Sequence, residues 1–148
     1  MASTLTPTSF NVKIIEEQVV KNSVIKNEVT YTISNVSNVD RRILTCPQST
    51  SIDLFNLNGP NPGAGTFPSS SLQYARITNL DDTFNLAITI SGSQGTITQE
   101  VTPSSTLFIA SSNITSSAFN GTFGDSIEYV KAYAISGSID VEYTLVNA

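Results

Sequence analysis

The side chains whose types and spacing could do chemistry are carboxylates. Asp81 and Asp82 are adjacent, two residues after Asn79, and offer the hard oxygen ligands that calcium takes. Asp125 and Glu128 stand close together, and Asp140 and Glu142 stand two apart in an alternating run. That spacing puts Asp140 and Glu142 on one face of a strand, opposite Val141 and Tyr143. Paired carboxylates are also the working groups of glycosidases. Each pair has an ordinary reading beside it, as a turn former or as charge on a solvated strand face. The chain has no His, so a Ser, Thr or Cys nucleophile lacks its usual base. Lys13, Lys21, Lys26 and Lys131 sit in or beside alternating runs, where a solvated face is expected. The single Cys46 cannot build a zinc site or an internal disulfide, and before Pro47 it reads as a small core or loop residue. No Gly-rich loop is followed by Lys, and there is no Trp to serve as a sugar platform. The expectation is a non-enzyme with no cofactor and no metal, Asp81 and Asp82 remaining as calcium candidates.

The elements that would position these residues are strands. Charged residues make up 13% of the 148, well under the roughly 25% of an average domain. Ser, Thr and Asn supply about a third of the chain instead, a composition of strands and turns. A chain of this length forms one domain without staples. Two stretches organise it: Gln73 to Ser91 and Ser126 to Val146 each pair two β-branched and aromatic runs around a short polar turn, the pattern of a hairpin. Phe84, Leu86, Ile88 and Ile90 give the strongest alternation.

Further upstream, Phe10, Val12 and Ile14 alternate before the phase shifts to Ile15, Glu17 and Val19, which predicts a β-bulge near Ile14-Ile15. After a turn at Lys21-Asn22-Ser23, Ile25, Val29, Tyr31 and Ile33 share one face and Lys26, Glu28, Thr30 and Thr32 the other, as in a half-buried antiparallel strand. Residues 1–9 read as a flexible arm, and 10–148 as a single β-sandwich with long loops at 58–71 and 111–124. About ten strands with turns every 8 to 12 residues indicate an all-β, antiparallel sandwich of Greek-key or jelly-roll winding.

The net charge of −5 and a pI near 4.4, with no basic cluster beyond Arg41-Arg42, argue against nucleic acid and against an anionic membrane as partners. No apolar run approaches the length of a membrane span, and MASTLTPTSF lacks the marks of a signal peptide, so synthesis in the cytoplasm is expected.

The second half, with YARITNLD, NLAITI, TPSSTLFIA and the closing EYVKAYAISGSIDVEYTLV, resembles small β-sandwich virion proteins of tailed bacteriophages, notably marine and cyanobacterial ones. The likeness covers Gln73 to Val146 and rests on a set of strands. It implies a non-enzymatic virion structural protein, foremost a capsid decoration (cement) protein, homo-oligomeric with a trimer favoured, bridging the major capsid protein or other virion proteins. A tail component, or a carbohydrate- or receptor-binding sandwich, is the alternative. Its contacts would lie in the arm and the two loops, at Leu5, Pro7, Pro60, Pro62, Phe67, Ile114, Phe119 and Phe123.

Overall fold

A run of alternating β-branched residues carries the chain into strands from its first described position. The computed structural model describes residues 8–61, 65–66, 71–93, 95–110, 113–114 and 125–148. β1 (Thr8–Val20) and β2 (Ser23–Val36) form an antiparallel ribbon that pairs with no other strand among the described residues. Lys21 and Asn22 close it with φ of 48° and 69°, the doubly left-handed geometry that matches strand twist in a two-residue hairpin turn. The register runs unbroken from Phe10↔Ile33 to Val20↔Ser23. The bulge predicted at Ile14-Ile15 is therefore absent. The one irregularity lies between Thr8 and Phe10, across from Asn35 with its φ of 57°. Ile14 and Ile15 point to opposite faces as successive strand residues do, and both can be apolar without a bulge because the ribbon has two open faces and no core to select one. The two faces of β2 divide its residues as their alternation indicates, but the strand is exposed over most of its length rather than half-buried.

The remaining long strands build two four-stranded antiparallel sheets, making ten strands of more than two residues with the ribbon. The first sheet has the order β10 (Thr106–Ile109), β7 (Leu72–Asn79), β14 (Ile139–Asn147), β3 (Asn38–Cys46). The second has the order β4 (Ser51–Asn56), β13 (Tyr129–Ala134), β8 (Leu86–Ser91), β9 (Thr96–Val101). Inward residues of the first sheet, among them Ile77, Val141, Tyr143 and Leu145, share one core with Phe55, Leu86, Ile88, Val130 and Ala132 of the second. The chain is thus an all-β sandwich, and the fold class read from its alternation is correct. Cys46 is buried in this core as a free thiol.

Neither organising stretch is a hairpin. β7 and β8 lie in different sheets, and so do β13 and β14. Both are arches that cross from one sheet to the other. Period-2 alternation fixes which residues face inward, and both sheets satisfy it equally, so the pattern carries no information about the pairing partner. Within the sandwich, β8 and β9 are the consecutive strands that do pair.

Asn79, fully buried at the end of β7, pins the first arch. Its side-chain amide donates to the carbonyls of Phe84 (2.9 Å), Val101 (3.1 Å) and Thr102 (3.3 Å), and its Oδ1 accepts from the Asp81 amide (3.0 Å).

Two short pairings mark the long loops. β5 (Pro60–Asn61) meets β6 (Gly65–Thr66), and β11 (Asn113–Ile114) meets β12 (Asp125–Ser126). Of the expected N-terminal arm, Thr8 and Ser9 already belong to β1, and residues 1–7 lie outside the described residues.

Candidate functional site

Of the carboxylates singled out by spacing, Asp81, Asp82, Asp140 and Glu142 are engaged in structure. The Asp81 carboxylate caps the first arch, accepting from the amides of Thr83 (2.7 Å) and Phe84 (2.6 Å), while Asp82 accepts from the Thr83 hydroxyl (2.8 Å). An oxygen held by two backbone amides is poorly placed to offer itself to a cation, since each amide directs positive charge at it. Among the described residues, no group of three or more His, Cys, Asp and Glu side chains is arranged to hold a metal. Asp140 accepts from Thr45 (2.7 Å). Pro60 and Ile114 fall in the short strands β5 and β11, and Leu5, Pro7, Pro62, Phe67, Phe119 and Phe123 lie outside the described residues.

Glu142 departs from the solvated face its alternation suggested. It is 7% exposed on the outer face of the first sheet and accepts from Arg41 (2.7 Å) and from Arg76. The Arg41 hydrogen bond, opposed by burial and joined by the Arg76 charge, holds its carboxyl below the usual range. Across the sheet, Tyr143 turns inward and donates to Asp40 (3.0 Å), which Arg42 also engages at 3.1 Å. Burial above all, then the bond to Asp40, pushes the Tyr143 phenol well above its ordinary value. The carboxylates of both networks are paired, while Arg76 Nε is buried without a hydrogen-bond partner among the described residues.

What remains uncovered is the ribbon. Residues opposed in register share a face, so Phe10, Val12, Ile14, Glu16, Gln18 and Val20 of β1 lie with Ile33, Tyr31, Val29, Asn27, Ile25 and Ser23 of β2. This face is apolar from Phe10 to Ile14 and mixed beyond, where Asn27 donates to Glu16 (3.1 Å) and Gln18 and Ser23 alternate with Ile25 and Val20. The opposite face is mostly polar, with Lys13 paired to Glu28 (2.8 Å), but it also carries Ile15, Val19 and Val24. The base of the apolar face is seated on the sandwich, where Phe10, Val12, Ile33 and Val36 pack on Tyr74 and Val146 of the outer sheet face. The Phe10 and Tyr74 rings are 5.8 Å apart. Beyond this base Ile14, Ile15, Val19, Val24, Ile25, Val29 and Tyr31 are exposed, Val19 by 67%.

The outer sheet face continues the surface. On the edge strand β3, Val39, Arg41 and Ile43 point outward, and Phe108 of β10 is also exposed. A groove of about 400 Å³ runs between β1 and the row Tyr74, Arg76, Thr106 and Phe108, and a second of about 210 Å³ lies between Phe10 and the Val39-Arg41 edge. Sequence reasoning missed the ribbon as a surface. Its signal was the very phase shift at Ile14-Ile15, since apolar residues on both phases of a strand mark two faces that each want cover. Comparison with family models, with curated proteins and with solved structures found no match for this chain.

Proposed function

We propose that this chain is a non-enzymatic structural protein of a bacteriophage particle, a capsid decoration protein that stabilises the shell by bridging subunits as a homo-oligomer. The supporting observation is the ribbon, with at least seven large apolar side chains open beyond its base. A two-stranded hairpin is at best marginal alone in water, and exposed apolar surface of this extent marks a protein interface. An assembly subunit keeps such an element because its cover arrives with the neighbour. The engaged state of Asp81, Asp82, Asp140 and Glu142 fits a scaffold rather than a catalyst.

The winding of the sandwich adds support. Ranked one to eight from β3 to β14 without the short strands, the sheets read 6-3-8-1 and 2-7-4-5. That nesting, with alternate strands crossing between sheets, is what a jelly-roll winding requires, and jelly rolls are frequent in shell proteins. Placement on the capsid, as opposed to the tail, rests on the resemblance in the second half of the chain. The test is peptide mass spectrometry of purified particles. A copy number comparable to the major capsid protein is expected; a handful of copies moves the chain to tail or vertex, and absence ends the reading.

A further inference from the structure

The apolar face of the ribbon and the outer edge of the first sheet have matching patterns. On β3, Val39, Arg41 and Ile43 project from the same face at every second residue, an apolar, basic, apolar row with the Arg41 side chain 67% exposed. On the ribbon, Ile14 and Val29 form one cross-strand pair, Glu16 and Asn27 the next, and Gln18 and Ile25 the one beyond, so that along β2 the row reads Val29, Asn27 beside Glu16, Ile25. That is an apolar, acidic, apolar row with the same two-residue repeat of roughly 7 Å. Glu16 is the one charged residue on the ribbon's apolar face, and Arg41 is the one charge of the Val39-Arg41-Ile43 row; over the whole outer face Arg41 and Arg76 are balanced by Asp140 and Glu142. Within one chain the two rows do not meet, since the ribbon's own base occupies Tyr74 and Val146.

We infer that the apolar face of the ribbon is covered by a second copy of this chain, laid along the Val39-Arg41-Ile43 edge with Glu16 against Arg41. Each copy carries both halves of the contact, so the arrangement closes either as a reciprocal pair or as a ring. Beyond the base the open ribbon of about seven residues spans roughly 23 Å and two strands about 10 Å, so the open face offers about 230 Å². Giving one face and receiving another comes to about 460 Å² per copy, the size of a weak, concentration-dependent contact rather than a permanent one. This inference rests on reading the chain as an assembly subunit and is independent of which particle it serves.

The test is sedimentation and light scattering of the full chain, purified without any particle, across a concentration series. The wild type is expected to associate, and Val29→Lys, which places a charge in the apolar row, to leave monomer. Glu16→Arg and Arg41→Glu are each expected to raise Kd about fivefold, as loss of one exposed pair does. Mixing the two variants should restore opposite charges at both contacts of a reciprocal pair. Because Arg41 also bonds Glu142, Ile43→Lys probes the same edge with Arg41 retained, although it lies across from Glu142 in the register, and it too should give monomer. Near-ultraviolet circular dichroism of the core tyrosines verifies that each variant is folded. A wild type that stays monomeric, or an oligomer indifferent to Val29→Lys and Ile43→Lys, overturns the inference. Either result leaves the particle copy number as a separate measurement, so the two readings can fail independently.

Discussion

The ring of Phe84 lies where a side chain on Gly137 would have to be. Phe84 belongs to the arch between β7 and β8, and Gly137 to the arch between β13 and β14, so this contact ties the two crossings together at one end of the sandwich. A Cβ at residue 137 would overlap the ring, forcing Phe84 off its seat. Gly137→Ala should therefore cost about 1–3 kcal/mol, in the range of overpacked sites. Calorimetry should show Tm falling, and Phe84→Leu in the same chain should return part of the loss. A Tm unchanged by Gly137→Ala would mean that the arch yields freely.

Asn79 should be the least replaceable polar residue of the fold. Asn79→Leu keeps the branched shape, though in a larger side chain, and strips the donor from three carbonyls and the acceptor from the Asp81 amide. Buried groups left without partners cost about 1–3 kcal/mol each where water cannot reach them. A loss of about 3 kcal/mol is expected from urea unfolding, with a slope that stays unchanged.

Acid should weaken the protein through Glu142. Its folded carboxyl is held below the ordinary 4.5 by Arg41 and then Arg76. Its contribution is therefore fully present above that value and is lost as pH falls below it, through the folded value. Glu142→Gln should flatten this acid limb and lower stability at neutral pH by about 1.5–3 kcal/mol, the worth of a charge-assisted bond. Thermal melts from neutral pH downward would read both effects. An acid limb identical to the wild type would remove Glu142 as its source.

At the alkaline end the corresponding group is Tyr143. Its phenol is raised above the ordinary 10.0, chiefly by burial and then by the Asp40 bond. The contribution is present below pH 10 and fades as pH rises beyond it, because only the unfolded chain ionises readily there. Tyr143→Phe should cost about 1 kcal/mol at neutral pH and remove its part of the alkaline decline.

Cys46 offers a simple reporter. Its thiol is buried and pushed up by that burial, so a thiol-directed reagent should modify it at the rate of global opening. Fast labelling under native conditions would show that the end of β3 opens locally.

The strands were legible in the sequence because alternation is a local property, written residue by residue in runs such as Phe84 to Ile90. Their partners were not. The step from Asn79 to Leu86 crosses between sheets because the buried Asn79 amide and the Asp81 cap shape an arch there, and neither bond has a signature in spacing. Glu142 was legible as a member of one strand face, whereas its burial depends on Arg41 and Arg76 of two neighbouring strands. The ribbon was read as two strands correctly and as a bulged, half-buried pair wrongly. A sequence pattern assumes that one face of a strand is covered, and this ribbon is covered on neither face beyond its base.

The pairing of β14 with β3 has a consequence for timing. Arg41 and Glu142 are 101 residues apart in sequence, and β14 lies between β3 and β7, so the first sheet has no centre until β14 arrives. The ribbon, by contrast, closes through a two-residue turn. Local hairpins form in about microseconds, while contacts of long sequence separation must first overcome loop closure. During refolding the ribbon should gain hydrogen-exchange protection before the sheet beneath it exists, unless its cover is needed to hold it. Pulse labelling at low and high protein concentration would separate these cases. Early ribbon protection only at high concentration would mean that copies meet through their ribbons before either has finished folding.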